Sequence, residues 1–191
     1  MKQTRWGIVG PGSIANNFAD GLAQSGAGVL VAIASRDAGR RQVFGDKYAI
    51  AAATRYASYA ALMADPSIDA VYIATPHPFH AGLAISAMRA GKAVVVEKPA
   101  GMNAAQVVAL SEVAQQMGVF FMEAFMYRCH PQIARVLAII AAGEIGKLRH
   151  IRTSFGFDAG FNAGSRLFDR ALGGCGILDV GGYPVSLARL I

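Results

Sequence analysis

The chain reads as an α/β protein with a doubly wound parallel sheet, on three counts. Short apolar runs of strand length alternate with segments of helical periodicity through the first two thirds of its 191 residues. The runs are apolar almost without interruption, as strands buried on both faces are. A glycine-rich turn, Gly10-Pro11-Gly12-Ser13-Ile14-Ala15, links the first run to the first helix.

Arg5–Val9 is the first strand, and a helix from Ser13 to Gln24 follows it. Ile14, Phe18 and Leu22 recur every fourth residue along that helix, and Ser25-Gly26 stops it. Val29–Ala34 is the second strand, with alanine-rich helical sequence after it to about Tyr48. Asp65-Pro66-Ser67 signals a turn into the strand Ala70–Ala74. A helix from about Phe79 to Arg89 ends at Gly91, and Ala93–Val96 is the next strand. Asn103 caps a helix with Val107, Leu110, Ala114 and Met117 on one face, which Gly118 terminates. Val119–Met122 is the last strand of the run. Pro131 opens a further helix, with Ile133, Val136, Leu137 and Ile140 on one face. Ile145-Gly146-Lys147 then turns into a strand at Leu148–Phe157. The alternation breaks here, so residues 1–124 form one domain and 125–191 begin a second. The chain stops inside the apolar stretch Val185–Ile191 with no cap or polar tail, and reads as a fragment of a longer protein.

Composition narrows the class. Hydrophobic residues make up 54% and charged residues 16%, which fits a well-cored protein and not a disordered one. There is no apolar run of membrane-spanning length and no signal-peptide pattern, so neither a membrane nor export is expected. Cys129 and Cys175 are too few for a disulfide framework, which leaves a cytoplasmic location. The net charge of +6 does not point to nucleic acid, because the basic residues are scattered and lack interleaved aromatics. No Cys/His spacing suggests a metal site.

In doubly wound sheets, ligands bind outside the carboxyl ends of the strands. The first such segment, Gly10–Ala15, has the G-x-G-x-x-A form of a dinucleotide-binding Rossmann turn. Gly10 permits the tight turn, Gly12 lets the backbone reach a pyrophosphate, and Ala15 lets the helix pack closely. Ser13 and Ile14 place helix N-terminal N–H groups at the phosphates. Ser35 and Arg36 follow the second strand, where an acidic residue would bind the ribose of NAD. Serine and arginine suit the 2′-phosphate of NADP instead, and Arg40 with Arg41 adds positive field. Asp37 leaves NAD open if the strand ends one residue later.

Five motifs stand in order along the chain. They are Gly10–Ala15, the segment Ala74-Thr75-Pro76-His77-Pro78-Phe79-His80, Glu97-Lys98-Pro99, Met122–Arg128, and Gly173–Pro184. Together they resemble the Gfo/Idh/MocA oxidoreductases, over essentially the whole chain. Glu123–Arg128 and Tyr183 look most like the dihydrodiol dehydrogenase and NADP-dependent D-xylose dehydrogenase branch. The resemblance implies that Thr75, Pro76, His77, His80, Glu97, Lys98 and Arg128 stand on the cofactor side, with Lys98 also beside the substrate. It implies a cis Lys98–Pro99 peptide, and an α+β second domain with an open, mostly antiparallel sheet through which a full-length homo-oligomer pairs. Where relatives of the inositol dehydrogenase type carry D-x-x-x-H, this chain has Asp179 and Tyr183. Tyr183 then takes the acid/base role. A free phenol titrates near 10, and a neighbouring ammonium such as Lys98 favours phenolate. Tyr183 can instead be a packed aromatic at a helix start. Asp179 either bonds a substrate hydroxyl or caps the helix that follows. His77 and His80 either line the cofactor pocket or simply begin a helix, while Arg128 and His130 position loops between the domains.

The activity implied is hydride transfer between NADP (or NAD) and a hydroxyl-bearing carbon of a sugar, cyclic polyol or trans-dihydrodiol. The family also contains sugar-sensing regulators. A non-catalytic cofactor-binding sensor is therefore the alternative, and retention of both Lys98 and Tyr183 speaks for the enzyme.

Overall fold

A computed structural model describes residues 3–191, and the chain divides into two compact units, Met1–Glu123 and Ala124–Ile191. The first unit holds six strands: β1 (Thr4–Val9), β2 (Gly28–Ala34), β3 (Arg55–Tyr56), β4 (Ala70–Ile73), β5 (Ala93–Val96) and β6 (Phe121–Glu123). All pair in parallel in the order β3-β2-β1-β4-β5-β6. That order reverses direction between β1 and β4, which opens a crevice at their carboxyl ends.

Helices α1 (Ser13–Ser25), α2 (Ala38–Lys47), α3 (Tyr59–Ala64), α4 (His80–Arg89) and α5 (Ala104–Met117) complete this unit. Ala15, Ala19 and Leu22 form the buried stripe of α1, and Gly26 ends it in the left-handed region at φ +62°. The Asp37 side chain caps α2 by accepting from the Arg40 N–H, and Asn103 caps α5 by accepting from the Gln106 N–H. All four residues of β4 are buried, as are Val94, Val95 and Val96 of β5, because helices cover both faces of the sheet. On the α1 face, Phe18 stacks flat on Tyr72 at 3.9 Å, and Trp6 meets Phe18 edge-on at 5.1 Å.

The sequence reading placed five strands here and missed β3 and α3, which are two and six residues long. Neither is long enough to show a period. Asp65 explains how so short a segment is held. Its carboxylate accepts from the Ser67 N–H at 2.7 Å and from the Tyr56 hydroxyl of β3 at 2.7 Å. The Ser67 N–H first, and then the Tyr56 hydroxyl, hold the Asp65 carboxyl below the ordinary range. A depressed carboxyl stabilises the fold above its unfolded pKa, and that stability drains away as pH falls through the folded value. Asp65→Asn is therefore expected to flatten the loss of stability below about pH 4. Urea titrations at several pH values check this, and parallel curves for the two proteins would refute it.

The second unit contains α6 (Pro131–Ala141) and α7 (Gly182–Leu190). Pro131 sits in the first turn of α6, and His130 Nδ1 accepts from the Gln132 N–H ahead of it. Short 3-10 turns lie at Met126–Cys129 and Arg170–Leu172, and a π-helical turn, Ile177–Gly181, leads into α7. The strand expected at Leu148–Phe157 is not formed, and the antiparallel sheet expected for this domain is absent among the described residues. A strand exists through its ladder, and no segment among the described residues pairs with 148–157. Among the described residues, no helix is long and apolar enough to cross a membrane.

Candidate active site

In the first unit, the turns after β1, β2, β4 and β5 gather at one edge of the sheet. Gly10 adopts φ +91°, and a Cβ there would lie 3.0 Å from the Ala74 carbonyl oxygen. Both the backbone angle and the close approach of β4 therefore demand glycine. Gly12 stands at the N-cap of α1 in extended conformation, and no side chain caps this end. The first N–H groups of α1, at Ser13, Ile14 and Ala15, lack the kind of side-chain acceptor that α2 and α5 have. Ser13 is exposed, Ile14 half-buried, and Ala15 fully buried against the sheet. A helix start with bare N–H groups is an anion site in waiting.

After β2, the Ser35 side chain is buried and its Oγ accepts from the Asp37 N–H at 3.2 Å. Asp37 is turned to α2, where Oδ1 accepts from the Arg40 N–H at 2.9 Å and Oδ2 lies 3.6 Å from Arg40 Nε. That acid is engaged as a helix cap. Arg36 is exposed, with its guanidinium 5.9 Å from the Tyr59 ring centroid and 6.0 Å from that of Phe79. Two aromatic faces thus bracket the cation. Arg41 donates to the Ser35 carbonyl at 2.5 Å and braces the turn from behind.

After β4, the Thr75 hydroxyl oxygen is buried and has no hydrogen-bond partner. A buried polar atom of this kind asks for a ligand or a water. Pro76 is exposed and His77 is buried. His80 begins α4, one of the two roles that the sequence leaves open. Its ring is wholly buried, and its nitrogens face the Thr75 and Pro99 carbonyls at 2.6 and 2.8 Å. It is a strut behind the turn and not a wall of the pocket.

After β5 come Glu97, Lys98 and Pro99, all half-buried, and the Lys98–Pro99 peptide is cis. The Glu97 carboxylate accepts from the Tyr72 hydroxyl, and the Glu97 N–H donates to the Ile73 carbonyl at 2.9 Å. Glu123, at the end of β6, accepts from the Ala100 N–H at 2.8 Å. The turn carrying Lys98 is therefore gripped on both sides. Tyr72 and Glu123 were not singled out for this from the sequence. The available signals were a tyrosine inside a wholly apolar strand and a glutamate directly after the next one.

In the second unit, Tyr183 lies in the first turn of α7 among aromatic rings. Phe155 and Phe125 meet it edge-on at 5.1 and 5.3 Å, and Tyr127 lies at 6.0 Å. The Tyr127 hydroxyl hydrogen-bonds with Ser186 Oγ at 2.7 Å. Tyr127, Phe155, Tyr183 and Leu187 help line an open, mostly apolar cavity of about 340 Å³. Asp179 is buried and accepts from Arg166 Nη1 at 3.0 Å, so it does not cap α7, whose start has no side-chain cap. Arg166 was not anticipated. Arg128 is exposed on the Met126–Cys129 turn.

The family model described as "Oxidoreductase family, NAD-binding Rossmann fold" matches residues 4–125, and the "GFO/IDH/MocA C-terminal domain" model matches residues 133–191. The chain belongs to the Gfo/Idh/MocA oxidoreductase family. It is 40% identical to mouse trans-1,2-dihydrobenzene-1,2-diol dehydrogenase, across 98% of this chain and 56% of that protein. Against the human protein of that name it is 37% identical, across 98% and 55%. Its fold matches an aldose-aldose oxidoreductase from Caulobacter crescentus complexed with glycerol, with TM-score 0.91 and 26% identity over 98% of this chain and 57% of that one. It also matches a 3-ketoreductase from Actinomadura kijaniata in complex with NADP and TDP-benzene, with TM-score 0.83 and 31% identity over 99% and 57%. The chain spans just over half the length of these Gfo/Idh/MocA relatives.

Proposed function

We propose that the protein is an NADP-dependent oxidoreductase acting on a hydroxyl-bearing carbon of a sugar, cyclic polyol or trans-dihydrodiol. The observation that carries the NADP preference is the turn after β2. Its acid, Asp37, is spent on capping α2, while Arg36 stands exposed between two rings beside Ser35. The donor set fits a dinucleotide. The bare start of α1 would take the pyrophosphate, Ser35 and Arg36 with Arg40 the 2′-phosphate, and the orphaned Thr75 hydroxyl the nicotinamide end. Bound NADP supplies the hydride acceptor or donor at nicotinamide C4.

The chain's own residues handle the proton and the alignment. Tyr183 exchanges the substrate hydroxyl proton at its phenol oxygen. Were Lys98 brought beside Tyr183, as the resemblance to the family implies, its ammonium would favour the phenolate form. Asp179, which Arg166 holds, is the residue that would hydrogen-bond a substrate hydroxyl. The aromatic cluster around Tyr183 suits the apolar face of a ring substrate.

Incubating the full-length protein with NADP and a panel of sugars, polyols and dihydrodiols tests the reading at the reduced-nicotinamide absorbance band. Turnover of one class supports it. Tight NADP binding with no turnover across the panel would replace it with a non-catalytic sensor. Arg36→Ala is expected to weaken NADP binding by about 1.5–3 kcal/mol and leave NAD almost unchanged. Calorimetric titration with each dinucleotide decides this, and equal losses would withdraw the 2′-phosphate assignment.

A further inference from the structure

His80 is a wholly buried titratable side chain that the reaction does not use. It is the first residue of α4, and its ring turns back toward the sheet edge. Nε2 lies 2.6 Å from the Thr75 carbonyl oxygen and Nδ1 lies 2.8 Å from that of Pro99. The two carbonyls belong to different turns, one after β4 and one after β5, whose strands are neighbours in the sheet. The ring therefore spans the seam between the turn that carries Thr75 and the turn that carries Lys98. Two more contacts hold the same segment from other directions. The Ala100 N–H donates to Glu123 at 2.8 Å, and the Glu97 carboxylate accepts from Tyr72.

From this geometry we infer that His80 is a positioning residue. It sets the Lys98–Pro99 turn against the Thr75 turn and so fixes where Lys98 stands relative to the nicotinamide end of the site. The inference rests on the assignment of Lys98 made above. In either tautomer one ring N–H donates to one of the two carbonyls while the rigid ring holds the distance to the other, and a buried carbonyl that loses its donor is penalised, so the turns keep that spacing. Reaction geometry tolerates little slack. A shift of about 1 Å in an aligned group costs up to about 100-fold in rate.

His80→Phe keeps an aromatic ring in the space and removes both nitrogens. In the full-length protein its kcat is expected to fall about tenfold, with the Kd for NADP changing by less than about threefold. Because His80 acts through Lys98, adding His80→Phe to Lys98→Met should cost nothing beyond Lys98→Met alone. Losses that multiply, or an unchanged kcat in the single variant, would overturn the proposal. Amide hydrogen exchange supplies a readout free of turnover. The Lys98 and Ala100 amides should exchange about tenfold faster in His80→Phe, while Leu110 and Val113 in the α5 core stay protected. If wild type and Lys98→Met turn over alike, the catalytic reading of Lys98 has failed, and the exchange data alone decide whether His80 fixes the turn. Unchanged exchange then overturns it. Should the phenylalanine variant not fold, His80→Gln, which retains amide donors, is expected to fold with exchange between the two. Exchange in it equal to wild type, with a tenfold loss of kcat, would also overturn the proposal.

Discussion

Tyr183→Phe in the full-length protein is expected to lower kcat by roughly 10²–10⁴ while NADP binds as before. The substitution is narrow. The ring keeps its edge contacts with Phe125 and Phe155, so the aromatic cluster and α7 remain packed. Only the hydroxyl is lost, and with it the group proposed to exchange the substrate proton. Hydride cannot leave a carbinol carbon at a useful rate while the proton stays on oxygen. Steady-state kinetics beside a dinucleotide titration separate the two steps. A phenylalanine variant with near-normal kcat would reduce Tyr183 to a packing residue, and the proton would need another acceptor.

Lys98→Met is expected to lower kcat about 100-fold, the usual worth of one preorganised charge or donor at a reacting centre. Methionine matches the stem length and removes the ammonium. On the proposed pairing of Lys98 with Tyr183, the phenolate would lose a stabilising cation, and the limb of the pH–rate profile that reports the phenol is expected to move upward. The direction is the informative part. A slower enzyme with an unmoved limb would mean that Lys98 orients substrate without acting on Tyr183. The Lys98–Pro99–Ala100 turn keeps its three holds at Tyr72, His80 and Glu123 in this variant, so a structural collapse is not expected.

The elements that the sequence revealed are those with enough length to show a period. Ile14, Phe18 and Leu22 announce α1, and the runs at Val71–Ile73 and Val94–Val96 are apolar because both sheet faces are covered. β3 and α3 escaped because two and six residues carry no period, and they are held by the polar contacts of Asp65 instead. Leu148–Phe157 misled for the opposite reason. Its composition favours a strand, but strand structure depends on a partner that composition does not reveal. At the site, motif order singled out the candidate residues but not the side chains that hold them. For His80 the sequence left a pocket wall and a helix start both open, and nothing in its order shows that the ring is buried. Arg166, Tyr72 and Glu123 are distant in sequence from the residues they hold, and a one-dimensional reading has no means of joining them.

The uncapped start of α1 sets stability against binding. Gly12 is not conformationally obligatory. Its backbone is extended, and a Cβ there would come no nearer than 4.0 Å to any neighbour. Serine or aspartate would fit and would close the helix end, a change typically worth about 1 kcal/mol. A screen for thermostability alone would therefore favour such replacements. The same side-chain oxygen would occupy the uncapped N–H groups, and aspartate would add a negative charge where the proposed pyrophosphate would sit. Cofactor affinity and thermal stability are therefore expected to move in opposite directions in Gly12→Asp.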